Sequence, residues 1–159
     1  MVQVFNTYLK EGKPVLEEER KLPADIHFIT GEKELYAFCK GTLKLHLYAE
    51  EYLYAISVNA KGKIQGVFEI SHGTVNTSLA GTREIMQKLL LLGSVDFYLA
   101  HNHPSQDPSP SDIDISVTER VYRAGELLGI RLVDHMIITE KDYYSFNKAI
   151  VRMLSLIHI

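Results

Sequence analysis

The segment from residue 101 to residue 114 constrains this chain most. It reads His-Asn-His-Pro-Ser-Gln-Asp-Pro-Ser-Pro-Ser-Asp-Ile-Asp and places three prolines within seven residues. Proline fixes φ and lacks a backbone N–H, so these residues form neither a helix nor a central strand and favour a stiff, extended crossing. The apolar run just before them, residues 94–100, predicts a short buried strand. The chain therefore enters the segment from a strand and starts a helix only at Ser111.

Three side chains of this segment are suited to binding one metal ion. His101 and His103 are two residues apart and therefore project from the same side of a strand end. Asp114 falls in the first turn of the following helix, where it faces back toward the loop. Two imidazoles and one carboxylate, with no cysteine nearby, match a catalytic site that leaves one position for water. This ligand type favours zinc, with iron, manganese or cobalt as substitutes.

Other interpretations of the same residues stay open at this point. Ser111 and Asp114 have the spacing of a capping box, in which both side chains only satisfy amides at the helix start. An isolated His-x-His pair also occurs by chance, so the conjunction of all the features favours the metal site. The predicted register of a hairpin is the only reason to place His72 near this region. His135 either orients a ligand or is an ordinary strand residue.

The remaining sequence alternates between strand and helix patterns. Runs of β-forming residues predict an N-terminal hairpin over 2–22, a second hairpin over 52–70 and a strand over 130–139. Helical periodicity predicts helices over 30–44, 82–93, 111–128 and 145–152. These elements predict a mixed α/β domain, with a highly curved sheet and helices packed on it. If the second hairpin turns near Lys61, Glu51 lies roughly opposite Ser71 and His72 at an open end of the sheet.

Composition limits the setting in which the chain works. A chain of 159 residues that is 46% hydrophobic fits one globular domain. The single cysteine, Cys39, forms no internal disulfide, and with no signal-peptide pattern it points to a cytoplasmic protein. The longest apolar run, residues 89–92, is too short to span a bilayer. The net charge of −3 leaves no overall basic surface for DNA, although a local basic patch is compatible with it.

Several short motifs together resemble the RadC branch of the JAMM/MPN (JAB) metalloprotease superfamily. They are His101-Asn-His103-Pro-Ser, Asp107-Pro-x-Pro-Ser111, Asp114-Ile, Leu128-Gly-Ile130 and Asp134-His135. The resemblance runs from about Glu51 to Ser145. It implies a curved, mixed and mainly antiparallel sheet flanked by helices, of the MPN/JAB, cytidine-deaminase-like type, here with an N-terminal hairpin.

The resemblance also implies roles for individual residues. The two histidines and Asp114 would bind zinc, and a glutamate at the start of an upstream strand would act as general base. Alignment of the strand that ends at Asn59 gives Glu51 this role, with Glu50 as the competing choice. Ser111 would stabilise the oxyanion. Gln106 departs from the family, which usually has glycine at this position.

The implied activity is zinc-dependent hydrolysis of amide or isopeptide bonds. Its substrate would be a peptide or a protein, with a ubiquitin-like tail as one candidate. The alternative is a RadC-like DNA-associated or scaffold module without a physiological peptidase substrate. The charge does not support a DNA partner, and we expect no room for the helix-hairpin-helix segment that often precedes such a domain. We expect no membrane partner.

The motifs also suggest how the chain is divided. We expect residues 1–29 to form an N-terminal hairpin extension and residues 30–152 to form the RadC-like JAB/MPN domain. Residues 153–159 lie beyond the resemblance and form a tail.

Overall fold

The fold comes from a computed structural model that describes residues 1–73 and 81–157. The strands are β1 (Val2–Lys10), β2 (Lys13–Leu22), β3 (Glu51–Val58), β4 (Ile64–Gly73), β5 (Asp96–Asn102), β6 (Arg131–Ile138) and β7 (Tyr143–Ser145). The helices are α1 (Glu32–Gly41), α2 (Thr82–Leu92), α3 (Asp112–Leu128) and α4 (Asn147–Ile157), with a short 3-10 helix at Leu45–Leu47.

The described strands form one mixed sheet in the order β2-β1-β4-β3-β5-β6-β7. Two neighbouring pairs, β1 with β4 and β5 with β6, are parallel, and the other four pairs are antiparallel. The predicted class, a mixed and mainly antiparallel sheet flanked by helices, is confirmed. The N-terminal hairpin continues this sheet through β1, and the charged strand β2 lies at its edge.

Helices cover both faces of the sheet, because successive residues of a strand point to opposite faces. Leu53 and Ala55 of β3 belong to the core shared with α2, α3 and α4. Tyr54 and Ile56 of the same strand belong to the second core, shared with α1. The apolar residues that α1 and its C-terminal end contribute to that second core are Leu35, Phe38, Cys39 and Leu43.

The hairpin of β3 and β4 has a register slightly different from the predicted one. Glu51 pairs with Gly73, while Ser71 and His72 pair with the next two residues of β3. The register shifts twice along the hairpin, and each shift places one additional residue in β4. Glu51 nevertheless lies at the open end of the sheet, as expected.

The buried face of α3 differs in part from the one that helical spacing predicts, which comprises Ile115, Val117, Val121, Ala124, Leu127 and Leu128. Ile115, Leu127 and Leu128 are exposed, Leu127 to 87% of its surface. The buried residues of α3 are Val117, Thr118, Val121, Tyr122 and Gly125. Apolar periodicity alone does not identify this face, because two of its buried residues are a threonine and a glycine. Gly125 is required there, since a Cβ atom would lie 2.2 Å from the backbone oxygen of Ile130.

Strand β7 was not predicted, and a buried carboxylate helps to hold it. Ser145 Oγ donates a hydrogen bond of 2.6 Å to Oδ2 of Asp134 on β6. Asp134 is only 3% exposed. Beyond β7, helix α4 passes its predicted end at 152, and residues 158 and 159 of the predicted tail lie outside the described residues. Along the described part of the chain, no helix is both long and apolar enough to cross a membrane.

Asp134 should make the stability of the protein depend on pH. Burial raises the pKa of its carboxyl group to about 6, although hydrogen bonds from Ser145 and the His135 amide act to lower it. Because the unfolded-state pKa is about 3.9, the folded protein binds more protons between these two values. Its free energy of unfolding therefore falls as pH rises through this range, by up to about 3 kcal/mol from this group alone.

Asp134→Asn should remove this contribution, since an amide keeps an acceptor for the His135 amide and carries no charge. We expect the variant to gain stability over the wild type from about pH 4 to pH 7, as measured by urea denaturation at each pH with a chelator present. A constant difference between the two proteins across this range would contradict a raised pKa for Asp134.

Candidate metal centre

Three side chains from β5, the following loop and α3 meet at the open end of the sheet. Nε2 of His101 lies 3.1 Å from Nε2 of His103 and 3.2 Å from Oδ1 of Asp114. Nε2 of His103 lies 3.1 Å from Oδ2 of Asp114. The fold thus brings together the residues that the sequence suggested as ligands, and they form a group able to hold a metal ion.

The hydrogen bonds around His101 determine which of its nitrogens carries a proton. The Thr118 hydroxyl donates its hydrogen to the backbone oxygen of Asp114 at 2.7 Å. In its contact of 2.5 Å with His135, Thr118 Oγ1 must therefore accept, and Nδ1–H of His135 is the donor. Nε2 of His135 is then free to accept from Nδ1–H of His101 at 2.8 Å. Nε2 of His101 therefore presents a lone pair to the centre.

His135 and His103 complete the same pattern. Burial holds the pKa of His135 well below its ordinary value, so its ring is neutral, as the chain of hydrogen bonds requires. Nδ1 of His103 lies 2.8 Å from the backbone oxygen of Asp107, which only accepts, so this nitrogen carries the proton. Nε2 of neutral His103 then also points a lone pair at the centre.

The electrostatics of the cluster favour a positive charge at its middle. Burial alone raises the pKa of Asp114, but the adjacent imidazoles of His101 and His103, when protonated at Nε2, outweigh it and hold this pKa well below the usual range. Asp114 is therefore a carboxylate. The Asp114 carboxylate accepts a hydrogen bond from the protonated form of His103 and in turn raises the pKa of that imidazole. Two lone pairs and a carboxylate at this distance need either a proton or a cation between them.

A zinc ion fits this donor set. Nitrogen and oxygen ligands about 2.0–2.1 Å from a tetrahedral zinc lie roughly 3.3 Å from one another. The three observed separations of 3.1–3.2 Å are close to this value. Three protein ligands leave a fourth position, as catalytic zinc sites require.

The capping-box interpretation of Ser111 and Asp114 is also correct. Ser111 caps α3 by accepting from the Asp114 amide at 3.1 Å, and Oδ2 of Asp114 accepts from the Ser111 amide at 2.9 Å. These bonds fix the Asp114 carboxylate and still leave Oδ1 directed at His101. The cap therefore orients the proposed ligand rather than competing with it.

The loop after His103 is tied to the end of β6. The His103 amide donates to the backbone oxygen of Ile138 at 3.1 Å. Gln106 has a left-handed backbone with φ of 70°, which explains why glycine suits this position in the resembling family. Its side-chain oxygen accepts from the Glu140 amide at 2.9 Å, so glutamine supplies a tether that glycine lacks.

An open groove of about 580 Å³ adjoins the cluster on the side of His103 and Asp114. Its lining includes Glu50, Glu51 and Ser111. Of the two glutamates, Glu50 is exposed and Glu51 is partly buried. The negative charge of Glu51 also contributes to the raised pKa of His103. Both residues that the alignment offered as the base therefore line the groove, with Glu51 electrostatically coupled to His103.

The remaining histidine considered from the sequence lies elsewhere. His72 stacks its ring on Tyr52, with ring centroids 4.9 Å apart, and its Nδ1 lies 3.6 Å from Oε2 of Glu69. His135, by contrast, touches His101 directly.

Sequence reasoning missed Thr118 and Asn102, which are buried and hydrogen-bonded within this region. Proximity to the motif is the only sequence signal for Asn102, and Thr118 has none.

Comparisons with known proteins agree with these observations. The family model described as RadC-like JAB domain matches residues 29–151. A UPF0758 protein of Clostridium kluyveri is 46% identical over 99 residues, which are 62% of this chain and 43% of the relative. A UPF0758 protein of Clostridium beijerinckii is 34% identical over 120 residues, which are 76% of this chain and 52% of the relative. The chain thus spans about half the length of the curated relatives that it matches.

Thr118→Val tests whether the hydrogen-bond chain prepares the metal ligands. Valine keeps the shape but removes the hydroxyl, so His135 loses the acceptor that fixes its tautomer. We expect zinc to bind roughly 10-fold more weakly, measured by competition with a chromophoric chelator.

Thr139→Val is the matched control, because its buried hydroxyl donates to the Asp142 backbone oxygen instead. It should leave zinc affinity unchanged. Equal zinc affinities for Thr118→Val and the wild type would show that the chain does not orient His101.

Proposed function

The chain belongs to the RadC-like JAB domain family, and from this premise we propose that it is a zinc-dependent hydrolase of amide or isopeptide bonds. The observation that carries the proposal is the convergence of two imidazole nitrogens and a carboxylate within 3.2 Å, beside a groove lined by a glutamate and a serine. His101, His103 and Asp114 would hold the metal. When bound, zinc would polarise the scissile carbonyl group and lower the pKa of a water molecule to about 7.

Glu51 would act as the general base. Its carboxylate would take a proton from the attacking water and later pass it to the nitrogen of the leaving amine, as the C–N bond breaks. Three observations support Glu51 over Glu50. Glu51 begins strand β3 on the same sheet face as Leu53, it is partly buried, and its charge contributes to the raised pKa of His103. Glu50, in contrast, lies just before this strand, and its backbone oxygen accepts a hydrogen bond from Asn102.

Ser111 would stabilise the oxyanion that develops on the scissile carbonyl. Its hydroxyl oxygen accepts from the Asp114 amide, and its own hydrogen has no acceptor within residues 1–73 and 81–157. This hydrogen is therefore available to a substrate oxygen in the groove. The proposed substrate is a peptide or protein segment, since the groove is open to solvent and can admit a segment of a larger molecule.

Substitution of the two glutamates tests the proposed chemistry. Glu51→Gln should retain one zinc per chain, measured by elemental analysis, because it removes no ligand. Its turnover should fall about 10²- to 10⁴-fold, because an amide cannot accept the proton. A library of internally quenched peptides and lysine isopeptides provides the assay.

Glu50→Gln is the control and should keep wild-type turnover. If Glu50→Gln is the inactive variant instead, the base is misassigned by one residue. If the zinc-loaded wild type cleaves nothing in the library, the hydrolase proposal fails and a non-catalytic scaffold becomes the better account.

A further inference from the structure

We propose that Asn102 is a positioning residue that fixes Glu51 over the metal centre, an inference that rests on the function proposed above. Asn102 lies between the two histidine ligands in sequence, yet its side chain turns away from the metal cluster toward β3. It is 2% exposed. Its two shortest hydrogen bonds reach the residues immediately before and after Glu51.

The Asn102 carboxamide adds hydrogen bonds between β3 and β5 beyond the last residue pair of their backbone ladder. That ladder ends where Leu53 pairs with His101. One step further, Oδ1 of Asn102 accepts from the Tyr52 amide at 2.7 Å. Nδ2 donates to the Glu50 backbone oxygen at 2.9 Å and approaches the Tyr48 oxygen at 3.4 Å. One carboxamide thus imitates a peptide group, since it accepts from Tyr52 on β3 and donates to Glu50 just before this strand.

These partners also determine how the amide is oriented. The Tyr52 amide only donates and the backbone oxygen of Glu50 only accepts, so oxygen and nitrogen of Asn102 have one satisfactory arrangement. Aspartate lacks the donor, and alanine lacks both groups. The hydrogen-bonding groups of asparagine, independently of its volume, therefore suit it to this position.

The consequence is a fixed distance between base and ligands. The backbone of Glu51 is held on both sides, at Glu50 and at Tyr52, by a side chain that belongs to the ligand strand. Extension of the register by two residues from the pair of Leu53 and His101 sets Glu51 opposite His103. Any shift of the start of β3 relative to His101 and His103 would first have to break these buried bonds.

Asn102→Ala tests the inference in the zinc-loaded protein. We expect one zinc per chain to be retained, while the Tyr52 amide exchanges with deuterium faster because its acceptor is gone. Turnover of the peptide cleaved by the wild type should fall about 100-fold in kcat with little change in KM. Asn102→Asp, which keeps the acceptor for Tyr52, should retain protection of that amide and lose less turnover.

A double substitution separates positioning of Glu51 from a general structural effect. If Asn102 acts through Glu51, Asn102→Ala should not slow the Glu51→Gln variant further. Ser57→Ala is the control, since it removes a buried hydroxyl on β3 that bonds Ser94 at 2.6 Å, far along the strand. It should change neither Tyr52 exchange nor kcat.

The outcomes of these two proposals are distinguishable. Unchanged protection of the Tyr52 amide in Asn102→Ala, or an equal loss of kcat in the Glu51→Gln background, would overturn the role of Asn102. A wild type without turnover would overturn the hydrolase proposal. In that case, faster Tyr52 exchange in zinc-loaded Asn102→Ala would still support the anchoring of Glu51.

Discussion

Two imidazole lone pairs and a carboxylate repel one another unless a positive charge lies between them, and this chain holds all three within 3.2 Å. The surrounding structure maintains that arrangement. Thr118 and His135 direct the lone pair of His101 inward, and the helix cap at Ser111 fixes Asp114. Each of these supports also satisfies a hydrogen bond of its own, so the ligand side chains are held in place before any metal binds.

The sheet connects this cluster to the groove in which chemistry would take place. Strand β5 carries His101 and its neighbour β3 begins at Glu51, so ligand and proposed base come from adjacent strands. Asn102 strengthens that connection at the point where backbone pairing ends. One ladder thus places His101 and the proposed base Glu51, while His103 lies in the loop that follows β5 and Asp114 in the first turn of α3.

The sequence predicts which three side chains come together because their signal is local. His101, His103 and Asp114 lie within fourteen residues, and the prolines between them restrict the conformations of the intervening chain. Proposing Glu51 required the resemblance to a family, since fifty residues separate it from His101. Local strand and helix patterns predicted a mixed α/β domain, whereas the mainly antiparallel arrangement of the sheet came from the family resemblance. Strand β7 is only three residues long and follows directly on a turn, so its pattern is too short to recognise.

Thr118 and Asn102 could not be predicted because their roles are purely tertiary. A threonine in the middle of a helix is usually an exposed polar residue, and here it is fully buried against a strand histidine. The inward face of α3 was misjudged for the same reason, because tertiary packing selected Thr118 and Gly125 over Ile115 and Leu127. Hydrophobic periodicity reports how much apolar surface a helix has, and neighbouring elements decide which part is covered.

Anomalous diffraction at the zinc edge from crystals soaked with zinc tests the central claim most directly. The account predicts one strong peak about 2.0–2.2 Å from Nε2 of His101, Nε2 of His103 and a carboxylate oxygen of Asp114, with its fourth position open toward Glu51. No peak between these atoms at saturating zinc would contradict it. A fourth protein ligand closing the site would equally contradict it, because a closed site is structural rather than catalytic.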